Sequence, residues 1–322
     1  MHWLNLSAVL SLDGLSNSIV MYLMLKLIED RKPTARVILG GGAALGLAEI
    51  GVLEVLEESF DITGIIGTSI GSVIGGLYAC GYTPRELLRT AVQVNTRSLL
   101  SPINIDRSLS GIFDGKKVLR LFEEWTGGID IEDCRIPFLA VSYDLLGLNT
   151  VILDHGSLAK AMRASSSVPY IFAPFKKGRY ALVDGGVEYP LPLGLEGNLP
   201  GELTIAVNVL PVRIRKPELL QTGTSASKAK KMHINEVFLN SVIQNQAYLA
   251  MHSIINHHPD LVIDAWYPEG TVFGFDKAET FYGWGIAKAR EALASFEQPN
   301  YLKKLLRTYK QLASKLYSGQ GL

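Results

Sequence analysis

From Arg36 onward the chain alternates short unbroken apolar runs with longer stretches in which apolar residues recur every three or four positions. Val37-Ile38-Leu39 is such a run and ends in Gly40-Gly41-Gly42, which predicts a strand closed by a turn. Leu47, Ile50, Val52, Leu53 and Leu56 then share one helical face, with Glu49, Glu54, Glu57 and Glu58 on the other. Residues 62–66 predict a second strand broken at Gly67. Residues 70–80 follow as a small, apolar helix that Gly81 and Pro84 stop. Strand, turn and helix repeated in this way predict a three-layer α/β/α fold, with a largely parallel central sheet and helices on both faces. Further strands are expected at 138–143, 150–153, 180–183, 204–209 and 260–263, and helices at 116–125, 234–255 and 279–296.

The flanks read differently. Residues 19–25 are apolar, but Lys26, Glu29 and Asp30 end the run well short of a membrane span. No basic residue precedes it and no small-residue cleavage site follows, so it does not read as a secretory signal. At the other end Leu302, Leu305, Leu306, Tyr309, Leu312 and Leu316 form one apolar stripe, opposed by Lys303, Lys304, Arg307, Lys310 and Lys315. A basic amphipathic helix of this kind suits an anionic lipid surface, and equally a dock on its own domain. Residues 213–233, rich in Ser, Thr, Gly, Ala and Lys, predict a linker or a mobile lid. Three segments result: an apolar helical 1–35, a main domain at 36–297, and the basic helix at 298–322.

Composition sharpens this a little. Basic and acidic residues balance at 31 each, so no nucleic-acid partner is expected. Only 19% of residues are charged and 48% are hydrophobic, which requires a large core or some surface that meets lipid. Cys80 and Cys134 are the only cysteines. With no CxxC and no Cys/His cluster, neither a metal nor a disulfide framework is expected, and a reducing, cytoplasmic setting fits. No cofactor is expected either.

Ser69 stands in Gly67-Thr68-Ser69-Ile70-Gly71, between a predicted strand and a predicted helix. G-x-S-x-G at that junction is the elbow that exposes a nucleophilic serine, its glycines letting strand and helix approach closely. A plain helix N-cap also explains the serine, but not the paired glycines. Upstream, Gly40 to Gly46 links a strand to a helix and presents backbone N–H groups to an anion. A phosphate loop would need Lys-Ser/Thr after the last glycine, where Leu47-Ala48 stands. A dinucleotide site stays possible on this segment alone, with Asp61 in an acceptable place, but leaves Ser69 unexplained. Among the histidines, His257 and His258 could serve a triad by chain order, yet they sit at a predicted helix end as solvated residues. Asp184, in Val183-Asp184-Gly185-Gly186 at the end of an apolar strand, is the better base. A turn-forming aspartate is the plainer alternative. Burial in an apolar cleft would raise its pKa toward that of a useful base.

These stretches together resemble the patatin-like phospholipase family. The glycine-rich motif, the G-x-S-x-G serine and the later D-G-[GA] aspartate correspond in order to 41–46, 67–71 and 184–186. Arg163 to Pro169 resembles the segment before the aspartate strand, and the likeness runs roughly from Arg36 to Phe296. The resemblance implies a Ser69–Asp184 dyad without a catalytic histidine or a metal. It implies an acyl-enzyme formed from a phospholipid or other acyl-ester lipid, and an oxyanion held by the N–H groups of Gly41, Gly42 and Ala43. Gly46, Gly67, Gly71, Gly185 and Gly186 complete the motifs. Two positions depart from the pattern: Ala43 replaces a glycine and Leu45 a basic residue. They leave open a weakly active or inactive protein that binds lipid or a partner on the same fold.

Overall fold

The computed structural model describes residues 31–94, 113–212 and 234–296. The apolar stretch at 19–25, the candidate lid at 213–233 and the basic stripe at 302–316 therefore lie outside the described residues. The strands are β1 (Thr34–Leu39), β2 (Asp61–Thr68), β3 (Phe138–Asp144), β4 (Asn149–Leu153), β5 (Phe175–Lys177), β6 (Tyr180–Asp184), β7 (Leu203–Asn208) and β8 (Leu261–Asp264). They join in one sheet in the order β5-β6-β3-β2-β1-β7-β8, with β4 on β3. β1, β2, β3, β7 and β8 pair in parallel, whereas β4 and β6 run antiparallel to β3, and β5 antiparallel to β6.

Helices cover both faces: α1 (Ala48–Ser59), α2 (Ile70–Cys80), α3 (Pro84–Gln93), α4 (Lys116–Thr126), α5 (Leu158–Ser165), α6 (Ile234–His257) and α7 (Ala278–Ala294). The unbroken apolar runs follow from that sandwich, because side chains alternate faces along a strand and both faces here are dry. Val37, Leu39, Ile65, Phe138, Ile205 and Val207 join one core, beneath α1, α2, α4, α5 and α7. Ile38, Ile66, Val141 and Ala206, on the opposite side of the same strands, join the other, with Ala247 and Ala250 of α6.

Two local expectations are corrected. Pro84 does not merely stop α2; it opens α3 at its first turn, where a proline costs no hydrogen bond. Thr83 and Glu86 form a capping box around it. Glu49 is not on a wet face but fully buried. Its carboxyl turns toward Gly40 at the end of β1, while Gly51, on another face of α1, packs against α7, where a Cβ would lie 2.0 Å from the Tyr282 carbonyl oxygen.

Candidate active site

β2 ends at Thr68 and α2 begins at Ile70, so one residue must turn the chain. Ser69 does so at φ 56 and ψ −124, a conformation that costs an L-residue about 1–3 kcal/mol. The neighbouring glycines are required by space. A Cβ at Gly67 would lie 2.3 Å from the Gly71 carbonyl oxygen, and one at Gly71 would lie 2.6 Å from those of Gly40 and Leu39. The Ser69 side chain makes no capping bond to α2, so the N-cap explanation of this serine fails. Its N–H donates to Ser165 Oγ at 2.9 Å, and Ser165 Oγ donates to the Val141 carbonyl at 2.6 Å. Ser165, at the end of α5, thus pins the elbow to β3.

The sheet register brings Asp184 to this point. Val141 of β3 pairs with Thr68, and the next residue, Ser142, pairs with Asp184. β3 therefore passes from β2 to β6 just where the chain leaves the sheet at Ser69. Asp184 ends β6 as the apolar run suggested, and because β6 is antiparallel to β3 it brings the carboxyl in from the opposite direction. Asp184 is 2% exposed and Ser69 is 7% exposed. Gly186 N–H donates to Asp184 Oδ1 at 2.7 Å, and the Ser69 side chain lies beside the same carboxyl. Burial pushes the Asp184 pKa up to about 6, against the pull of those two neighbours. A Cβ at Gly185 would lie 2.5 Å from the Val141 carbonyl oxygen, so the turn after Asp184 also has no room for a side chain.

Arg163 holds the loop that leads into Asp184, a role that motif spacing did not reveal. Its guanidinium donates to the carbonyls of Gly115 (3.2 Å), Asp114 (3.3 Å) and Ala173 (3.2 Å), and to Ser167 Oγ. The Ser167 carbonyl in turn accepts Asp184 N–H at 3.0 Å. Burial lowers the Arg163 pKa to about 10. The readable signal was an arginine beside Ser165-Ser166-Ser167 in an apolar setting.

The glycine loop is narrower in function than its sequence implies. Gly41 points its N–H at the Pro190 carbonyl, at 2.7 Å, so it is not a free donor toward Ser69. What Gly41 supplies is proximity, since a Cβ there would lie 3.3 Å from Ser69 Cβ. The N–H groups of Gly42 and Ala43 take no partner among the described residues. Ala43 sits at φ +50°, in the left-handed region. At Gly46 a Cβ would meet Ile70 Cγ2 at 2.2 Å, which locks the loop against the first residue of α2. Leu45, in the position of the motif's basic residue, is buried in the core.

An apolar cavity of about 170 Å³ opens beside Ser69. It follows one face of α2 through Ile70, Val73, Ile74 and Leu77, roughly 12 Å along that helix. α3, α4 and Phe172 close its sides, and none of the described lining residues is charged. His155, His252, His257 and His258 are exposed, and none hydrogen-bonds to Ser69. Among the described residues no group of three His, Cys, Asp or Glu is placed to hold a metal ion.

Residues 37–195 match the family model described as patatin-like phospholipase. An uncharacterized NTE family protein of Mycobacterium tuberculosis is 36% identical over 178 residues, covering 55% of this chain and 49% of that protein. Patatin-like phospholipase domain-containing protein 6 of Homo sapiens is 32% identical over 187 residues, covering 55% of this chain and 13% of that one. The chain thus spans about half the length of the mycobacterial relative and a small part of the human one. The solved structure of the type III effector protein ExoU aligns with TM-score 0.41 at 11% identity, over 83% of this chain and 54% of that one.

Proposed function

Over residues 37–195 the chain belongs to the patatin-like phospholipase family, and we propose that it is a serine lipid acyl hydrolase of phospholipase A or lysophospholipase type. One observation carries the reading: a serine on a strained elbow beside a buried aspartate, at the mouth of an apolar cavity.

The chemistry follows from the arrangement. Asp184, ionised, takes the Ser69 proton as Oγ attacks the ester carbonyl carbon. Burial lifts its pKa into a range where it is both charged near neutral pH and basic enough to share that proton. The carbonyl oxygen becomes an oxyanion facing the N–H groups of Gly42 and Ala43; each such donor is worth roughly 2.7–4 kcal/mol. The C–O bond breaks, Asp184 returns the proton to the departing alcohol, and the acyl group stays on Ser69. Water then adds to the acyl-enzyme, its proton passing to Asp184, and release of the fatty acid restores Ser69. The cavity along α2 accepts the acyl chain, because a wall without charges favours methylenes over a head group.

A second reading, a protein that binds lipid without turnover, draws on the occupied Gly41 N–H and on Ala43 and Leu45. Hydrolysis of phospholipids and lysophospholipids, followed by fatty-acid release, separates the two. Turnover by the wild type and none by Ser69→Ala supports the hydrolase. Equal, negligible release by both leaves the binding protein.

A further inference from the structure

Three leucines lie in the open at the tip of the β3–β4 hairpin. Leu145, Leu146 and Leu148 are 44%, 72% and 73% exposed. Exposed leucines are ordinary one at a time; three in a four-residue loop are not. Nor is the loop slack. Asp144, 3% exposed, accepts the N–H groups of Leu146 (3.2 Å) and Gly147 (2.8 Å) within it. Leu148 is held at φ 52, a left-handed conformation that a leucine adopts at a cost. Folding stability explains neither the exposed side chains nor the strained residue beneath one of them.

The same carboxylate ties this tip to a second one. Asp144 Oδ1 also accepts Ala181 N–H at 2.9 Å, and the Ala181 carbonyl accepts Leu145 N–H at 3.0 Å. Ala181 pairs in turn with Lys176 across the β5–β6 hairpin. The leucine tip therefore lies beside Lys176, Lys177 and Arg179, all exposed, with two strand spacings, about 10 Å, from Leu145 to Lys176. Two described acids stand near this edge, the buried Asp144 and Glu188, which is bonded to Thr150 on β4. Both tips lie beyond the Ser142–Asp184 pair, at the end of the sheet where Ser69 stands.

We propose that these clamped hairpins are the surface by which the protein docks on anionic phospholipid bilayers. The leucines enter the interface while the three cations meet the head groups. Apolar side chains that dip below the head groups, ringed by basic ones that stay at that level, are what interfacial binding requires. No helix among the described residues is long and apolar enough to cross a membrane, so contact through these residues is peripheral. The inference rests on the lipid-hydrolase reading for its purpose, because it brings the bilayer to the Ser69 end of the sheet.

Vesicle flotation of the full chain tests it. One set of vesicles is phosphatidylcholine and the other includes phosphatidylglycerol. The wild type is expected to float with the anionic vesicles and to be released by high salt. Leu146→Ser with Leu148→Asn removes the apolar tips and gives the left-handed position a residue that tolerates it; partitioning is expected to fall roughly tenfold or more. Lys176→Gln, Lys177→Gln and Arg179→Gln together are expected to abolish the preference for anionic vesicles. Cleavage of soluble p-nitrophenyl butyrate should stay at the wild-type level in both variants. Unchanged flotation of the leucine variant overturns the docking surface. So does a dimer that this variant dissolves in the absence of vesicle binding, which would assign the face to a second copy. Flotation without esterase activity would overturn the catalytic reading instead and leave the docking surface standing.

Discussion

Ser69 and Asp184 meet inside the protein because β3 changes partner between Val141 and Ser142. Because burial holds the Asp184 pKa at about 6, its base form fills in as pH rises through that value. kcat/KM for a soluble ester is therefore expected to rise about tenfold per pH unit below the midpoint and to level off above it. A stopped-flow or plate assay across that window checks this; a flat profile would contradict it.

The same group should leave a mark on stability. A carboxyl whose folded pKa is raised from 3.8 to about 6 stabilises the fold fully only below the lower value. That contribution is lost as pH rises through about 6, and at neutral pH the difference approaches 3 kcal/mol. Asp184→Asn keeps the shape without the charge. It is expected to match the wild type near pH 4 in urea unfolding, to exceed it by about 1–3 kcal/mol near pH 8, and to lose turnover.

Much of this geometry was legible in the chain, for reasons that differ by element. The strand–elbow–helix around Ser69 was readable because an apolar run, two glycines and a second apolar run leave few alternatives. Asp184 was readable as a strand-end acid, but its direction was not, since a five-residue apolar strand looks the same parallel or antiparallel. Thr83-Pro84-Arg85-Glu86 carried a capping-box signature, masked by reading Pro84 only as a stop. The Gly41 bond to Pro190 joins residues far apart in the chain, and no local pattern encodes it. The burial of Glu49 is likewise hidden, because nothing local shows that its side of α1 turns toward Gly40.

Glu49 offers a separate test. Neither carboxyl oxygen has a hydrogen-bond partner, and the nearby Gly40 N–H is already directed at the Val207 carbonyl. Burial, only partly offset by that amide, holds its pKa well above the usual carboxylate range. Its contribution to stability is therefore present at low pH and declines as pH rises above the unfolded value. Glu49→Met should stabilise the fold by about 1–3 kcal/mol near pH 8 and by less near pH 5, seen as a shift in urea midpoint at constant slope. Destabilisation at the higher pH would mean that the carboxyl has a partner.

At Ala43 two effects oppose. Changing it to glycine relieves about 1 kcal/mol of left-handed strain, but loosens the unfolded chain by about 0.4–1 kcal/mol. Ala43→Gly is therefore expected to change stability by less than about 0.5 kcal/mol and to keep full activity. Ala43→Val puts a β-branched side chain at φ +50° and should cost both stability and kcat, because it turns the N–H away from the oxyanion. Thermal unfolding together with ester kinetics on the pair measures this.

Reaction with a fluorophosphonate, followed by peptide mass mapping, tests the Ser69–Asp184 pairing most directly. The wild type is expected to carry one adduct, on Ser69, and Asp184→Asn to form it roughly 10²–10⁴-fold more slowly. An adduct on another residue, or equal labelling rates in the two proteins, would contradict the dyad.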